Sequence, residues 1–249
     1  MRLGSIEKSL QIIDLLSRNT QGLRLSHLSS SLNIPPSSAH HILQTLLPHD
    51  YVMQDPETKK YSLGFRFLEI GKRILDSLDI RKIANKHLHE LHKACGEAVH
   101  LALLRNGQVI YIDKIDSPGM LSLATYVGFT TDAYAASGGK VLLSGLSPED
   151  VRDLYRERPL RKFGKRTITN LDQLLEELER VRGQGYAIDD EEYYEGVRCV
   201  AAPIRAGGNI VAAVSITGSI FTMTMDRIHQ QLKDLVVRTG ERISSEMRW

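Results

Sequence analysis

Two sets of side chains in this chain have the types and spacing to do chemistry. In PSSAHHILQTL, Ser37, His40, His41 and Gln44 project within about 100° of one another on a helix, while Ala39, Ile42, Leu43 and Leu46 recur on the other side. A polar face rich in hydrogen-bond donors, backed by a dry one, suits insertion into a DNA major groove. In HLHELHKAC, His87, His89, His92 and Cys95 are nitrogen and sulfur ligands, with 89 and 92, and 92 and 95, at helical three-residue spacing. Two of these could bind one cation, but four on one helix spread too far around it to close a site. A metal-responsive protein is therefore the alternative reading, and no metal site is assigned. Cys199 with Asp189 or His100 as base could in principle act as a nucleophile. No nucleophile elbow, Walker loop or paired-acid motif accompanies it, so neither enzymatic activity nor a cofactor is expected.

The elements that must position the polar face are short. A helix is expected from Ser5, with Ile6, Leu10 and Ile13 on one side and Leu16 closing it before the polar stop Arg18 to Gly22. LSHLSSSLNIPPSSAHHILQTL then reads as two helices around a Pro-marked turn, a helix-turn-helix. Tyr51 to Gln54 and Tyr61 to Leu63 flank an Asp-Pro turn and form a hairpin with Lys59 and Lys60 at its tip. Those lysines could reach phosphate or the minor groove, or simply be solvated. Phe65 to Leu78 forms a linker helix whose stripe of Phe67, Leu68, Ile70, Ile74, Leu75 and Leu78 calls for a second subunit.

Beyond Ile80 the pattern alternates. A helix around Ile83, Leu88 and Leu91 precedes strands Ala98 to Leu104, Val109 to Ile115 and Met120 to Val127, then helices Gly138 to Ser144, Pro148 to Tyr155 and Leu171 to Val181. Strands Val197 to Ile204 and Ile210 to Ile216 and a helix from Thr224 to Met247 complete it. The fold class is α+β: residues 1–64 as a winged helix-turn-helix, 65–79 as a linker and dimerisation helix, and 80–249 as a mostly antiparallel sheet flanked by helices.

At 249 residues the chain is long enough for two domains. No window approaches the roughly 18 consecutive apolar residues of a membrane span, and the N-terminus lacks an apolar signal core, so a cytoplasmic protein without a membrane partner is expected. Cys95 and Cys199 are too far apart for a redox or zinc-ribbon motif and suit a reducing compartment. A net charge of +2 does not argue for nucleic acid: up to Gly64, six basic residues face five acidic ones. Any DNA binding must depend on placement, with modest affinity for random sequence.

Along nearly its whole length the chain resembles the IclR family of bacterial transcription regulators. The blocks that carry the resemblance are SIEKSLQIIDLL, LNIPPSSAHHILQTL, YVMQDPETKKYSLG, VHLALLRNGQVIYIDKIDSP, SGGKVLLS, RTIT before Asn170, and GYAIDDEEYYEGVRCVAAPI with VAAVSITG. The resemblance implies a winged helix-turn-helix joined to a GAF-like effector domain. It also implies a homodimer, or a dimer of dimers, that binds double-stranded operator DNA and responds to a small metabolite, with repression the expected sense. Pro36 and His41 stand where the family usually carries Lys and Arg, so DNA readout is expected to use Ser26, Ser37, Ser38, His40, His41, Gln44 and Thr45, with Lys59 and Lys60 from the wing. A neutral His can make one bond to a base or phosphate but not the bidentate Arg contact to guanine.

By the same resemblance the effector site falls on Ser137, Gly138, Asp189, Cys199, Ser215 and Thr217, with Met120 and Leu123 as an apolar wall. Ser137-Gly138-Gly139-Lys140 opens a helix whose unpaired N–H groups and dipole favour an anion, and Ser215 and Thr217 present hydroxyls on one strand face. Helix capping and ordinary strand packing would account for the same residues. An ionised Asp189 would repel an anion, so it is either protonated or accepts a bond from a ligand hydroxyl. The expected effector is a small carboxylate, specifically a hydroxy or keto acid, or an aromatic acid if Met120, Leu123, Tyr126 and Tyr134 line a roomier pocket.

Overall fold

Three amphipathic helices open the chain, α1 (Ser5–Ser17), α2 (Leu25–Leu32) and α3 (Pro36–Leu46), followed by strands β1 (Val52–Gln54) and β2 (Tyr61–Leu63) and helix α4 (Arg66–Ser77). The computed structural model describes residues 4–117 and 125–247. Asn33 ends α2 in the left-handed region at φ 51°, and the Ser29 hydroxyl donates to the Ile34 carbonyl at 2.6 Å, fixing the turn into α3. Pro36 occupies the first turn of α3, where a missing N–H costs nothing. Ala39, Ile42 and Leu43 enter a core with Leu28, Val52 and Tyr61. The wing pairs Val52 with Leu63 and Gln54 with Tyr61, and its turn closes on Asp55, whose Oδ1 accepts from the Thr58 amide (2.7 Å), the Thr58 hydroxyl (2.9 Å) and the Glu57 amide (3.0 Å).

One expectation for this unit changes. α1 buries Ile12 and Leu16 rather than the Ile6 and Leu10 side, and these last two are 77% and 57% exposed. The helix carries two apolar faces, and only the one aligned with Leu28 and Leu43 has a partner within the unit. α4 buries no residue, and Phe65, Leu68 and Ile74 stand exposed.

The chain divides into two compact units, the first ending at Ser77 and the second beginning at Leu78. The second contains α5 (Asp79–Cys95), β3 (Ala98–Arg105), β4 (Gln108–Ile115), β5 (Thr130–Asp132), α6 (Ser137–Ser144), α7 (Pro148–Tyr155), α8 (Leu171–Gln184), β6 (Ala187–Asp190), β7 (Val197–Ala206) and β8 (Asn209–Ser219). A last helical stretch runs through α9 (Met225–Arg227), a π turn (Ile228–Leu232) and α10 (Lys233–Glu246). The six strands form one antiparallel sheet in the order β5-β4-β3-β8-β7-β6. The fold is the expected α+β arrangement, an antiparallel sheet flanked by helices.

Alternation along the strands decides what each face carries. Ala102, Ala201 and Ala213 lie under α6, α7 and α8, while α5 and α10 cover the other side, with Ala202 against α10 at Gly240. Small residues let α6 approach closely. At Gly139 an added Cβ would lie 2.1 Å from the Ala133 carbonyl oxygen, so only glycine fits there. Of the expected strand Met120 to Val127, residues 125–127 are not extended in the sheet and the remainder lies outside the described residues.

Candidate functional site

The alanine-rich face of the second unit turns polar one step further along each strand. Ala201 gives way to Cys199, Ala213 to Ser215 and Thr217, Ala102 to His100 and Ala187 to Asp189. Register brings them together, since Cys199 pairs with Asp189 on one side and Thr217 on the other, and Ser215 pairs with His100. With Ala136 and Ser137 at the start of α6, they line a cavity of about 30 Å³, completed by Tyr111, Thr125, Phe129, Thr131, Tyr193, Tyr194 and Val197. That is room for one or two waters, so a larger ligand must displace part of the wall.

Five of the expected effector residues therefore converge: Ser137, Asp189, Cys199, Ser215 and Thr217. Gly138 does not line the cavity; it lies over Ala213, where a Cβ would fit at 3.8 Å. Met120 and Leu123 lie outside the described residues. Tyr134 is not in the wall either: it is fully buried behind it, its hydroxyl accepting from the Arg161 amide (2.6 Å) and donating to the Arg161 carbonyl (3.0 Å). Tyr126 is 63% exposed against Phe129. The aromatic side is built instead by Tyr111, Phe129, Tyr193 and Tyr194. Tyr111 and Phe129 stack at 6.1 Å, Tyr193 and Tyr194 meet edge to face at 4.6 Å, and His100 tilts onto Tyr111 at 4.8 Å.

Burial governs the electrostatics. The Asp189 carboxyl is pushed up to about 7 by burial and then by the neighbouring Glu192 carboxylate, against the opposing Glu192 amide, which donates to its Oδ1 at 2.8 Å. Burial, assisted by Lys114, holds His100 down to about 3, so the imidazole is neutral, with Nε2 3.0 Å from the Thr125 hydroxyl. Burial and Asp189 push the Cys199 thiol well up, which removes the thiolate a nucleophile would need. Burial alone would lower Lys140. Glu192 at 2.5 Å and Glu177 at 3.1 Å outweigh it and keep the ammonium charged behind the cavity. The Thr131 hydroxyl faces the cavity buried and without a hydrogen-bond partner.

The first unit presents the other candidate surface. Ser26, Ser37, His40, His41, Gln44, Thr45 and Lys59 are exposed, and Ser38 and Lys60 are half-buried. The Thr45 hydroxyl donates to the His41 carbonyl at 3.0 Å, leaving its lone pairs outward as acceptors. α3 carries no lysine or arginine.

The four side chains of the metal alternative are not brought together on one point. His87 Nε2 meets Glu246 Oε1 at 3.0 Å, His89 Nδ1 meets the Asn85 carbonyl at 2.9 Å, and His92 Nδ1 meets the Glu97 carbonyl at 2.9 Å. Cys95 is buried in the core. His92 and the Cys95 thiol, at 3.8 Å, share the Glu97 carbonyl while His87 and His89 point elsewhere, and among the described residues no three potential ligands gather on one point.

Comparison with known proteins is consistent along the chain. Residues 5–56 match the model for the IclR helix-turn-helix domain and residues 72–245 that for the bacterial transcriptional regulator IclR C-terminal domain. The chain is 34% identical over 216 residues to the HTH-type transcriptional regulator XynR of Escherichia coli (strain K12), covering 86% of this chain and 85% of that one. It is 30% identical to the HTH-type transcriptional repressor AllR of Salmonella typhi, over 98% of this chain and 89% of the relative. An IclR homologue from Microbacterium hydrocarbonoxydans, solved with 4-hydroxybenzoate, has the same fold, with a TM-score of 0.83 at 19% identity over 97% of this chain and 98% of that one.

Proposed function

The chain belongs to the IclR family of DNA-binding transcriptional regulators, and on that premise we propose that it is a repressor released or recruited by a small organic acid. Its relatives are regulators, not enzymes. The observation that carries the effector reading is the convergence of Ser137, Asp189, Cys199, Ser215 and Thr217, from three strands and a helix start, on one cavity. Hydroxyl donors and the first N–H groups of α6 suit a carboxylate, and the aromatic wall suits a compact carbon skeleton or ring. A homologue that holds 4-hydroxybenzoate supports the same class.

The DNA-reading surface is the exposed polar side of α3, with Ser37, Ser38, His40, His41, Gln44 and Thr45 toward the bases, Ser26 on α2 and wing residues Lys59 and Lys60 toward phosphate. A homodimer places two such helices on half-sites about one helical turn, ~34 Å, or a multiple of it apart. The exposed Ile6, Leu10, Phe65, Leu68 and Ile74 of the first unit supply apolar surface for association. A dimer of dimers extends the same logic, and the cytoplasm is where it acts. No described helix is long and apolar enough to cross a membrane.

Gel-shift of DNA from upstream of the protein's own gene, at stated salt and with a panel of organic acids, tests this reading. A salt-sensitive complex whose stability changes with one of the acids is expected. Absence of any complex at low salt refutes the DNA reading, and a complex indifferent to every acid refutes the effector reading.

A further inference from the structure

We propose that the cavity takes a monocarboxylic acid together with one proton, shared between the ligand carboxylate and the Asp189 side chain. This deepens the organic-acid reading above and rests on it. The geometry that carries it is a buried carboxyl in a chamber with no cation. Asp189 is 4% exposed, and among the described residues the lining contains neither lysine nor arginine. The sequence of residues 118–124, PGMLSLA, contains no charged residue. The nearby cations are engaged behind the wall: Lys140 with Glu192 and Glu177, and Lys114 with Asp116 and the Thr125 carbonyl, each at 2.6 Å.

A ligand carboxylate entering beside an ionised Asp189 would therefore place two anions together with no counter-charge in the lining, Lys140 behind it being already shared by Glu192 and Glu177, in a medium that screens them poorly. Two carboxylates confined to one site retain a proton between them. The remaining polar groups of the wall, the Ser137, Ser215, Thr217 and Thr131 hydroxyls, can donate to a single carboxylate. A dicarboxylate or a phosphorylated acid would bring further negative charge that nothing in the lining offsets.

The groups facing Asp189 make its titration readable. Cys199 on β7 and Tyr111 on β4 are pushed upward, and His100 on β3 is held down to about 3. Glu192, with Tyr193 and Tyr194 on the following turn, is tied to Lys140 from α6. Asp189, pushed up to about 7, is the lining group that changes charge in the neutral range. Since the ligand enters with a proton, affinity must fall as pH rises through that range, about tenfold from about pH 6 to about pH 8.

Calorimetric titration of the full chain tests this. Pyruvate, lactate and 4-hydroxybenzoate serve as monocarboxylate probes and succinate as the dicarboxylate, each at both pH values in two buffers of different ionisation heat. The expected result is uptake of nearly one proton per bound monocarboxylate at the higher pH, the tenfold loss of affinity, and no succinate binding. In Asp189→Asn both the proton uptake and the pH dependence should vanish while a monocarboxylate still binds. Binding with no proton uptake, or tighter binding at the higher pH, would overturn the inference and leave the organic-acid reading standing, with the ligand hydroxyl donating to an ionised Asp189. No binding of any probe at either pH overturns both. If Asp189→Asn does not fold, the wild-type proton count decides alone.

Discussion

Asp189 makes the cost of the cavity measurable even without a ligand. Its carboxyl is raised from 3.8 to about 7, so between these values the folded chain holds a proton that the unfolded chain has released. Stability must then fall as pH rises through that window, by up to roughly 1.4 kcal/mol per unit, and level off above it. Asp189→Asn keeps an acceptor for the Glu192 amide and never ionises. The variant should match wild type near pH 4 and exceed it by a few kcal/mol above pH 7, read as the difference between denaturant midpoints of the two proteins. A constant difference across the range would mean that the carboxyl ionises without penalty. The resemblance of the sequence to a family pointed to Asp189, but not to its environment. Nothing in DDEEYY tells that Glu192 folds back on Asp189 or that Tyr193 and Tyr194 line the same cavity, because these positions are set by a turn whose path depends on Thr167 and Gly164 elsewhere in the chain. Tyr111 was legible only as a strand residue. Its side of the sheet follows from the register shift between Leu101 and Ala102 on the partner strand, which no local pattern announces.

Helices and hairpins with strong periodicity were legible almost in full: α2, α3, the wing and the β3–β4 and β7–β8 hairpins lie where alternation and turn residues place them. α1 was harder, since a helix with apolar residues on two sides does not declare which one meets its neighbours. The turn between α2 and α3 is held by two devices that can be separated. Asn33 adopts the left-handed conformation, which Gly tolerates as readily and Ala does not, and Ser29 ties the turn to Ile34. Asn33→Ala should therefore cost about 1 kcal/mol in the first unit while Asn33→Gly stays within about half that. Ser29→Ala leaves the Ile34 carbonyl without its bond and should cost about 1 kcal/mol as well. Thermal unfolding of the variants checks the order. An Asn33→Ala protein as stable as the glycine variant would show that the turn is not set by backbone conformation.

Across the whole chain, the proposed dimer would rest its DNA recognition on assembly more than on charge. α3 has no lysine or arginine, and up to Gly64 the six lysines and arginines barely exceed the five acidic side chains. On the proposed reading each protomer offers few phosphate contacts, chiefly through Lys59 and Lys60, and each contact contributes about 0.9 to the slope of log affinity against log salt. A dimer using these four lysines should show a slope near −4, shallow for a regulator. Linking two weak readers makes the second engagement intramolecular, at an effective concentration of order millimolar, and this can raise affinity by 10²–10⁴. Residues 1–77, which form a compact unit of their own, should consequently bind an operator at least about 100-fold more weakly than the full chain, with roughly half its salt slope. Fluorescence anisotropy of both proteins on the same labelled duplex over a salt series measures each quantity. Equal affinities would mean that a single first unit carries the recognition by itself, and an effector that alters assembly through the second unit would then have no lever on DNA binding.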